Sequence, residues 1–241
     1  MKPSSRNGHN LSERVTQYLV KYIQDNDLKP GDKVPSEIQV SSELGISRGV
    51  VRQAYHSLRT AGMLEIAMGR SPRVGQLSHD AFTPLLTHAL STEQVSVYDV
   101  LELRLAVEVH AAELAATHRN EGQVEALKKL VEGMRKAVTD RDRFARIDVR
   151  FHQMIGKATG NVLFEIFSRT LHGSLESSIR TGLRSRSTLA QIEKIVDTHQ
   201  AIVDAIENQQ PSRARNLMAL HFDEAKNALQ VASKGAGRKI G

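Results

Sequence analysis

The sequence has no cysteine among its 241 residues, and it has no apolar stretch long enough to cross a membrane. Without thiols, the chain can form neither disulfides nor thiolate metal sites, and cysteine nucleophiles and thiol redox chemistry are excluded. Any metal ion would have to be held by histidine and carboxylate side chains. The first ten residues also lack the apolar segment of a signal peptide. We therefore expect a soluble, cytoplasmic protein with no membrane partner.

Positive charge exceeds negative charge, and the excess per residue is largest near the N-terminus. The formal net charge is +6 and the isoelectric point is about 9.6. Residues 1–79 hold 11 Lys and Arg against 7 Asp and Glu, whereas residues 80–241 hold 22 against 20. This distribution favours a polyanionic partner such as DNA for the N-terminal part, although a solvated basic surface has the same composition.

The N-terminal third has the pattern of three short amphipathic helices. Apolar residues spaced by three and four predict helices over residues 11–24, 36–45 and 47–62, and Ser36 and Ser47 are typical N-caps of the second and third. In the second helix, core-like positions are taken by Ile38, Val40 and Leu44. A helix, a glycine-containing turn and a capped helix form a helix-turn-helix, whose second helix enters the major groove of DNA with its N-terminus first.

Basic residues follow this geometry. Arg48 and Arg52 lie one turn apart near the start of the third helix, where base edges and phosphates would be met. Two short strands, predicted over residues 63–66 and 71–74, flank a turn at Gly69 and form a basic wing beside the third helix. A solvated face would explain the arginines alone, but the complete pattern favours a winged helix-turn-helix.

These motifs resemble the GntR family of bacterial regulators. The resemblance is carried by residues 30–37, 44–48, 51–54 and 58–64. One departure is Ile38, because the family usually has arginine directly after the Ser-Glu pair, and one DNA-contacting arginine is therefore missing. The resemblance implies DNA contacts from Ser36, Ser47, Arg48, Gly49, Arg52, Gly69 and Arg70.

Beyond residue 95 the sequence shows helical periodicity and no strand-like alternation. Six helices are predicted, over residues 97–117, 122–140, 143–159, 162–183, 189–208 and 211–232. The predicted fold is therefore mainly α, with an N-terminal winged helix-turn-helix and a C-terminal all-helical antiparallel bundle. The predicted boundaries are residues 1–76 for the DNA-binding domain, 77–94 for a linker, 95–233 for the helical domain and 234–241 for a disordered tail.

The helical region contains a candidate metal site. Asp148 and His152 are four residues apart, so both project from one helix face. His199 and His221 lie within apolar stripes and can point toward a core. Three imidazoles and one carboxylate suit a divalent ion such as zinc, nickel, manganese or iron, and the softness of the donors alone does not choose among them. The spacing alone does not establish a site, because ten histidines often produce such a pair and a buried histidine commonly serves only as a hydrogen-bonding group.

The same region resembles the FCD effector domain of FadR-type regulators. The matching stretches are residues 103–108, 111–116, 148–152, 158–161, 199–206 and 219–222. In metal-binding members, ligands occupy the positions of Asp148, His152, His199 and His221, and all four chemical types are present here. The resemblance therefore implies that these four side chains bind a metal.

Arg104 lies on an inward edge of the first predicted helix of this domain, where a buried charge needs an anionic partner. One interpretation is an ion pair with Glu108, one helical turn further on. The resemblance implies another, in which the guanidinium of Arg104 makes a bidentate contact with the carboxylate of a small effector bound at the metal. We take the second as the prediction for Arg104.

Together these features predict a DNA-binding transcriptional regulator and not an enzyme. We expect a homodimeric repressor that binds a palindromic operator in double-stranded DNA and is released by a small carboxylate effector. The effector is a sugar acid, a hydroxy acid or an aromatic acid. The alternatives are a regulator that senses the metal itself, a purely structural metal, and a metal-dependent enzyme, for which no general base can be nominated.

Overall fold

A computed structural model of the chain describes residues 5–175 and 188–235, and it divides into two compact units, residues 1–81 and 82–241. The first unit combines helices with a two-stranded sheet, and the second is helical throughout the part that is described. The predicted fold class, a winged helix-turn-helix followed by an all-helical bundle, is confirmed. Within the described ranges, no helix is both long enough and apolar enough to span a bilayer.

The N-terminal unit has one long helix and several short elements. Their bounds are α1 Ser5–Asp25, α2 Glu37–Leu44, α3 Arg48–Thr60, β1 Leu64–Glu65 and β2 Arg73–Val74, followed by a 3₁₀ turn at His79–Ala81. The two strands pair antiparallel, with Leu64 opposite Val74. Each strand is shorter than the four residues predicted from the sequence.

Local hydrogen bonds and one glycine set the ends of α2. The backbone N–H of Gln39 donates to the hydroxyl of Ser36, and the backbone N–H of Ser36 donates to the Gln39 side chain, so a capping box begins the helix. Gly45 ends the helix at a φ of 65°, a left-handed conformation that glycine adopts without a steric penalty. The turn between α2 and α3 follows directly, as the helix-turn-helix requires.

The apolar faces of the three helices form the core of this unit. Its fully buried members include Val15, Leu19, Val40, Val51, Ala54 and Tyr55. Ile38 was predicted at a core-like position, but the structure leaves it 59% exposed. The reason is its rotation: Val40 faces the core, and Ile38, two residues earlier, is turned from it by about 200° around the helix axis.

The C-terminal unit consists of helices joined by short connections in its described part. Their bounds are α4 Thr83–Ser91, α5 Val97–His118, α6 Glu121–Arg135, α7 Arg141–Ala158, α8 Val162–Ser174, α9 Leu189–Glu207 and α10 Pro211–Gly235. The predicted helix over residues 162–183 ends at Ser174, and residues 176–187 lie outside the described residues. Of the predicted tail, Lys234 and Gly235 end α10, and residues 236–241 also lie outside the described residues.

The linker predicted over residues 77–94 contains a helix. Helix α4 belongs to the C-terminal unit, and its side chains Leu86 and Leu90 pack against Leu171 and Leu175 at the end of α8. The division between the two compact units falls after Ala81, within the segment predicted as a linker.

Helix α5 is central to the bundle and packs against α7, α8, α9 and α10. The core around it is formed by apolar side chains that include Phe144, Phe151, Ile155, Ile202 and Met218. The same inward faces also carry polar residues, because Arg104 and Glu108 on α5, Asp148 and His152 on α7, and His199 on α9 are all buried. Buried polar groups in an apolar core need partners, and Arg104 and Glu108 pair with each other.

Helices α7 and α8 approach closely at Gly156, and this contact yields a testable prediction. A Cβ atom on residue 156 would lie 3.0 Å from the carbonyl oxygen of Phe164 and 3.1 Å from Cβ of Ser168. We expect Gly156→Ala to lower the free energy of unfolding by about 1–3 kcal/mol, because the backbone of α8 would have to move. Urea denaturation followed by circular dichroism measures the change.

Gly133→Ala on α6 is the matched control. A Cβ atom there meets only the flexible end of Ile147, at 3.4 Å, and alanine favours the helix by about 1 kcal/mol over glycine. We expect this variant to be at least as stable as the wild type. Equal stability of the two variants would contradict the close approach of α7 and α8.

Candidate metal centre and DNA-binding surface

The four predicted metal ligands lie together at the centre of the C-terminal unit. Asp148 and His152 come from α7, His199 from α9 and His221 from α10. One candidate ligand atom of each residue lies within 4.8 Å of those of the other three. His152 and His199 are fully buried, Asp148 is buried, and His221 is partly buried. Residues separated by up to 73 positions in the sequence thus converge on one point.

The hydrogen bonding of His199 leaves a lone pair facing a carboxylate. Its Nδ1 lies 2.7 Å from the carbonyl oxygen of Ile195, which can only accept, so Nδ1 carries the proton. In the neutral ring Nε2 is then an acceptor, and it lies 3.1 Å from Oδ1 of Asp148. Two acceptors at this distance require a cation between them, either a proton or a metal ion. Two ligands of a tetrahedral zinc ion are about 3.3 Å apart, since Zn–N distances are about 2.0–2.1 Å.

His152 also directs its Nε2 atom toward Asp148. The Nε2 atoms of His152 and His199 are both buried, and neither has a hydrogen-bond partner among the described residues. His152 Nε2 lies 3.9 Å from Oδ1 of Asp148. The ring of His221 completes the group, with its centroid 5.1 Å from that of His152 and 4.6 Å from that of His199. This donor set fits a divalent metal ion of the zinc type.

The electrostatics of the cluster favour the protonation states that metal ligands need. Burial would raise the pKa of the Asp148 carboxyl, but the contact with His199 and the proximity of His152 and His221 outweigh burial and hold this pKa well below its usual range. Burial, with the neighbouring histidines, also lowers the pKa of His221 well below its ordinary value. An ionised carboxylate beside a neutral imidazole is ready to bind a cation.

The structure adds a neighbouring group that consists of Glu108, His152 and His172, all buried. His172 lies on α8 and was not predicted as part of the site. Burial and the positive charge of Arg104 lower the pKa of His172 to about 4, so the ring is neutral near pH 7. Burial would raise the pKa of Glu108, but Arg104 and the two histidines outweigh it and hold this pKa well below its usual range. The sequence signal for His172 was weak: a polar residue one turn after Ser168 on a largely apolar helix.

Arg104 is 5% exposed and is held by this second group. Its Nε donates to Oε1 of Glu108 at 2.8 Å, and its Nη2 lies 3.1 Å from Nε2 of His172. The guanidinium also lies over the ring of Phe222, 5.2 Å from the centroid. The ion-pair interpretation of Arg104 therefore describes the structure, and the effector contact remains a prediction.

The predicted DNA-contacting residues of the helix-turn-helix lie on one exposed region. Arg48, Gly49 and Arg52 occupy the first turns of α3 and are exposed. Ser47 precedes the helix with an exposed side chain that makes no capping hydrogen bond. Nε of Arg52 lies 3.4 Å from Oε2 of Glu37 in α2, a long contact for an ion pair. Polar donors at the exposed start of a helix are suited to phosphates and base edges.

Ser36 and the wing complete the predicted set. Ser36 is partly buried, and its hydroxyl accepts the capping hydrogen bond from α2, which leaves its proton available. Gly69 has a φ of 73° in the turn between β1 and β2, and the exposed Arg70 follows it. Arg73, which the wing also carries, instead donates a hydrogen bond to the carbonyl oxygen of Gly31. Arg70 and Arg73 are both exposed, and Arg70 lies in the turn of the wing.

Comparison with known proteins assigns both units. Residues 11–74 match the bacterial regulatory proteins of the gntR family, and residues 99–224 match the FCD domain. The chain is 28% identical over 225 residues to the Glc operon transcriptional activator of Escherichia coli, covering 91% of this chain and 89% of that protein. It is 26% identical over 228 residues to the transcriptional repressor NanR of Cronobacter sakazakii, covering 93% and 87%.

A solved structure agrees with these matches. The GntR protein of Streptococcus agalactiae aligns with a TM-score of 0.66 and 26% sequence identity, over 90% of this chain and 99% of that one. The two matched domains fall on the two compact units, with exposed arginines in the first and the buried histidines in the second. The chain is therefore a DNA-binding transcriptional regulator of the gntR family with a C-terminal FCD domain, and it is not an enzyme.

Proposed function

We propose that this regulator is a homodimeric repressor that a small carboxylate effector releases from its operator. A divalent metal is held by Asp148, His152, His199 and His221, with zinc as the first choice and nickel, manganese or iron as alternatives. The effector carboxylate binds beside it and is held by Arg104. The observation that carries the metal proposal is the pair of facing acceptors, His199 Nε2 and Asp148 Oδ1, at 3.1 Å.

The chemistry of these residues favours a small carboxylic acid as the effector. A divalent ion that expands its coordination beyond the four protein ligands supplies a Lewis-acid site for carboxylate and hydroxyl oxygens. Arg104 adds a fixed positive charge whose planar group matches a carboxylate. Its Nη1 atom has no acceptor among the described residues, so an edge of the guanidinium is available. A sugar acid, a hydroxy acid or an aromatic acid would each satisfy both groups.

The link to DNA depends on two states of a dimer. A helix-turn-helix dimer binds two half-sites about 34 Å apart on one face of the duplex, so a palindromic operator matches the twofold axis of the protein. The effector weakens operator binding only if it binds more tightly to a dimer whose recognition helices no longer fit this spacing. The relatives named above include both an activator and a repressor, and we propose the repressor on this mechanism. Its place of action is the DNA of the cytoplasm.

Operator affinity in the presence of three acids tests the proposal. The DNA is a duplex selected from random sequences by the wild-type protein, and the dissociation constant is measured by fluorescence anisotropy at fixed salt with zinc present. Glycolate, D-gluconate and benzoate represent the three effector classes. We expect one class to raise the dissociation constant by about 5- to 150-fold, the usual range of coupling between two sites.

Two controls test the role of Arg104 and the alternative of a metal sensor. Arg104→Gln should bind the operator normally and lose the response to the acid. Removal of the metal by a chelator, without any acid, tests the alternative of a metal sensor. If the protein senses the metal, chelation alone should change its affinity for the operator. If calorimetry shows that an acid binds at saturating metal and the operator dissociation constant does not change, the proposed switch is wrong.

A further inference from the structure

Glu108 contacts the predicted effector-binding residue and a predicted metal ligand at the same time. Its Oε1 accepts a hydrogen bond from Nε of Arg104 at 2.8 Å and lies 3.1 Å from Nε2 of His172. Its Oε2 lies 2.5 Å from Nδ1 of His152. The Glu108 side chain is 3% exposed, so these contacts are shielded from water. No other carboxylate in the described residues contacts both Arg104 and a histidine of the metal centre.

We propose that Glu108 is a positioning residue that couples the two parts of the effector site, by orienting His152 for the metal and Arg104 for the effector carboxylate. This inference rests on the proposed function. It assigns to Glu108 a role beyond that of the counter-ion of Arg104. Its basis is that the two oxygens of one carboxylate serve two different functional groups.

Glu108 lies against Nδ1 of His152. A carboxylate next to Nδ1 favours the tautomer with the proton on that nitrogen, which leaves the lone pair on Nε2. Nε2 is the atom that lies toward Asp148, at 3.9 Å. The contact between Nδ1 and Glu108 is close but lacks the alignment of a regular hydrogen bond, and a small rotation of the imidazole would complete it. Carboxylates in this position typically strengthen metal binding by 10- to 100-fold.

Glu108 also holds Arg104 in place. Glu108 and His172 engage Nε and Nη2, which form one edge of the guanidinium. Among the described residues, Nη1 has no acceptor, so the opposite edge of the fork remains for a ligand. The ion pair and the effector contact are therefore compatible, and Glu108 does not have to leave Arg104 when a carboxylate binds. The guanidinium is fixed before the effector arrives, which reduces the entropy lost on binding.

The two possible roles of Glu108, counter-ion and coupling residue, predict different effects on zinc affinity. If Glu108 only neutralises Arg104, a change at Glu108 should affect zinc binding no more than a change at Arg104 does. If Glu108 orients His152, zinc binding weakens when Glu108 changes and stays within threefold of wild type when Arg104 becomes lysine. Zinc affinity without effector therefore separates the two roles.

The test uses the full-length protein and competition for Zn²⁺ with a chromophoric chelator. In Glu108→Gln the amide nitrogen must face either Arg104 or His152, both of which donate, so we expect zinc to bind 10- to 100-fold more weakly. Arg104→Lys should remain within threefold of wild type. Glu113→Gln is the matched control, since Glu113 lies on the same helix and pairs with His110 and Arg215 away from the cluster. It should bind zinc like the wild type.

A second variant keeps the inference testable if Glu108→Gln does not fold. Glu108→Asp retains the charge but is one methylene too short to reach both Arg104 and His152, and we expect about tenfold weaker zinc binding. Nitrogen NMR of the imidazoles should also show His152 losing its single tautomer in the variant that folds. If the folded variant binds zinc within threefold of wild type, the coupling role is wrong. If the wild type binds neither zinc nor nickel, manganese or iron, the proposed function fails and the fault lies there.

Discussion

Removal of the metal is expected to lower the melting temperature of the C-terminal unit by about 10 °C, and His199→Ala is expected to abolish this dependence. A ligand present at 1,000 times its dissociation constant stabilises the folded state by about 4 kcal/mol. For a unit of this size, each kcal/mol shifts the melting temperature by about 2–4 °C. Differential scanning calorimetry of the protein with zinc and with excess chelator measures the shift.

The physical reason lies in the facing acceptors. Without a cation, Nε2 of His199 and Oδ1 of Asp148 are buried at 3.1 Å, and their repulsion is relieved only by a proton. Alanine at position 199 removes one acceptor and one ligand, so neither zinc nor chelator should then change the melting temperature. We also expect its affinity for zinc to fall at least a thousandfold, because one of four protein ligands is lost.

His88→Ala is the control for this experiment. His88 is an exposed histidine on α4 in the same unit, and its replacement should leave both zinc affinity and the shift on chelation unchanged. Elemental analysis of protein equilibrated with zinc gives the stoichiometry. Identical melting curves for loaded and stripped wild-type protein would rule out the metal centre, and would leave His199 and Asp148 as a proton-bridged ion pair.

The sequence predicted those features of the fold that depend on neighbours along the chain. Helical periodicity located α7 and α9 to within a few residues, and the four-residue spacing of Asp148 and His152 placed both on one face. Their meeting with His199 and His221 was implied by the family resemblance and not by spacing, because helix packing decides which faces converge. The same limit applies to Glu108, whose second contact, with His152, lies 44 residues away in the sequence.

Three features were missed for identifiable reasons. Helix α4 was predicted as a linker because Pro84 resembles a break, although proline is well tolerated in the first turn of a helix. Ile38 was predicted to lie in the core, but a helix of eight residues turns only one narrow face toward the core. His172 gave no motif, since its partners Arg104 and Glu108 are on α5. For His172 the tertiary packing, and not the local pattern, determined the outcome.

The largest effect on DNA is expected from the two arginines at the start of α3. Arg48→Ala and Arg52→Ala should each weaken binding to the selected operator by about 10- to 100-fold, because a bidentate arginine contact to a base is worth about 1–3 kcal/mol. Both side chains are exposed, and the contact of Arg52 with Glu37, at 3.4 Å, is a surface ion pair of the kind that contributes little to stability. Arg52 can therefore leave Glu37 for DNA at small cost.

Salt dependence distinguishes the contacts that these arginines make. If one of them binds a phosphate, its removal should weaken binding to operator and to unrelated duplex equally and should reduce the slope of log K against log salt by about 0.9. If it binds a base, the loss should be confined to the operator. Fluorescence anisotropy at four salt concentrations with both duplexes separates the two cases.

Arg59→Ala is the matched control, with the same residue type on the same helix. Arg59 is exposed in the last turn of α3, about 16 Å along the helix axis from Arg48. A recognition helix that enters the groove with its N-terminus first keeps this end away from the bases, so the operator dissociation constant should change less than threefold. If Arg59→Ala weakened operator binding as strongly as Arg48→Ala, the helix would lie along the groove and the proposed orientation would be wrong.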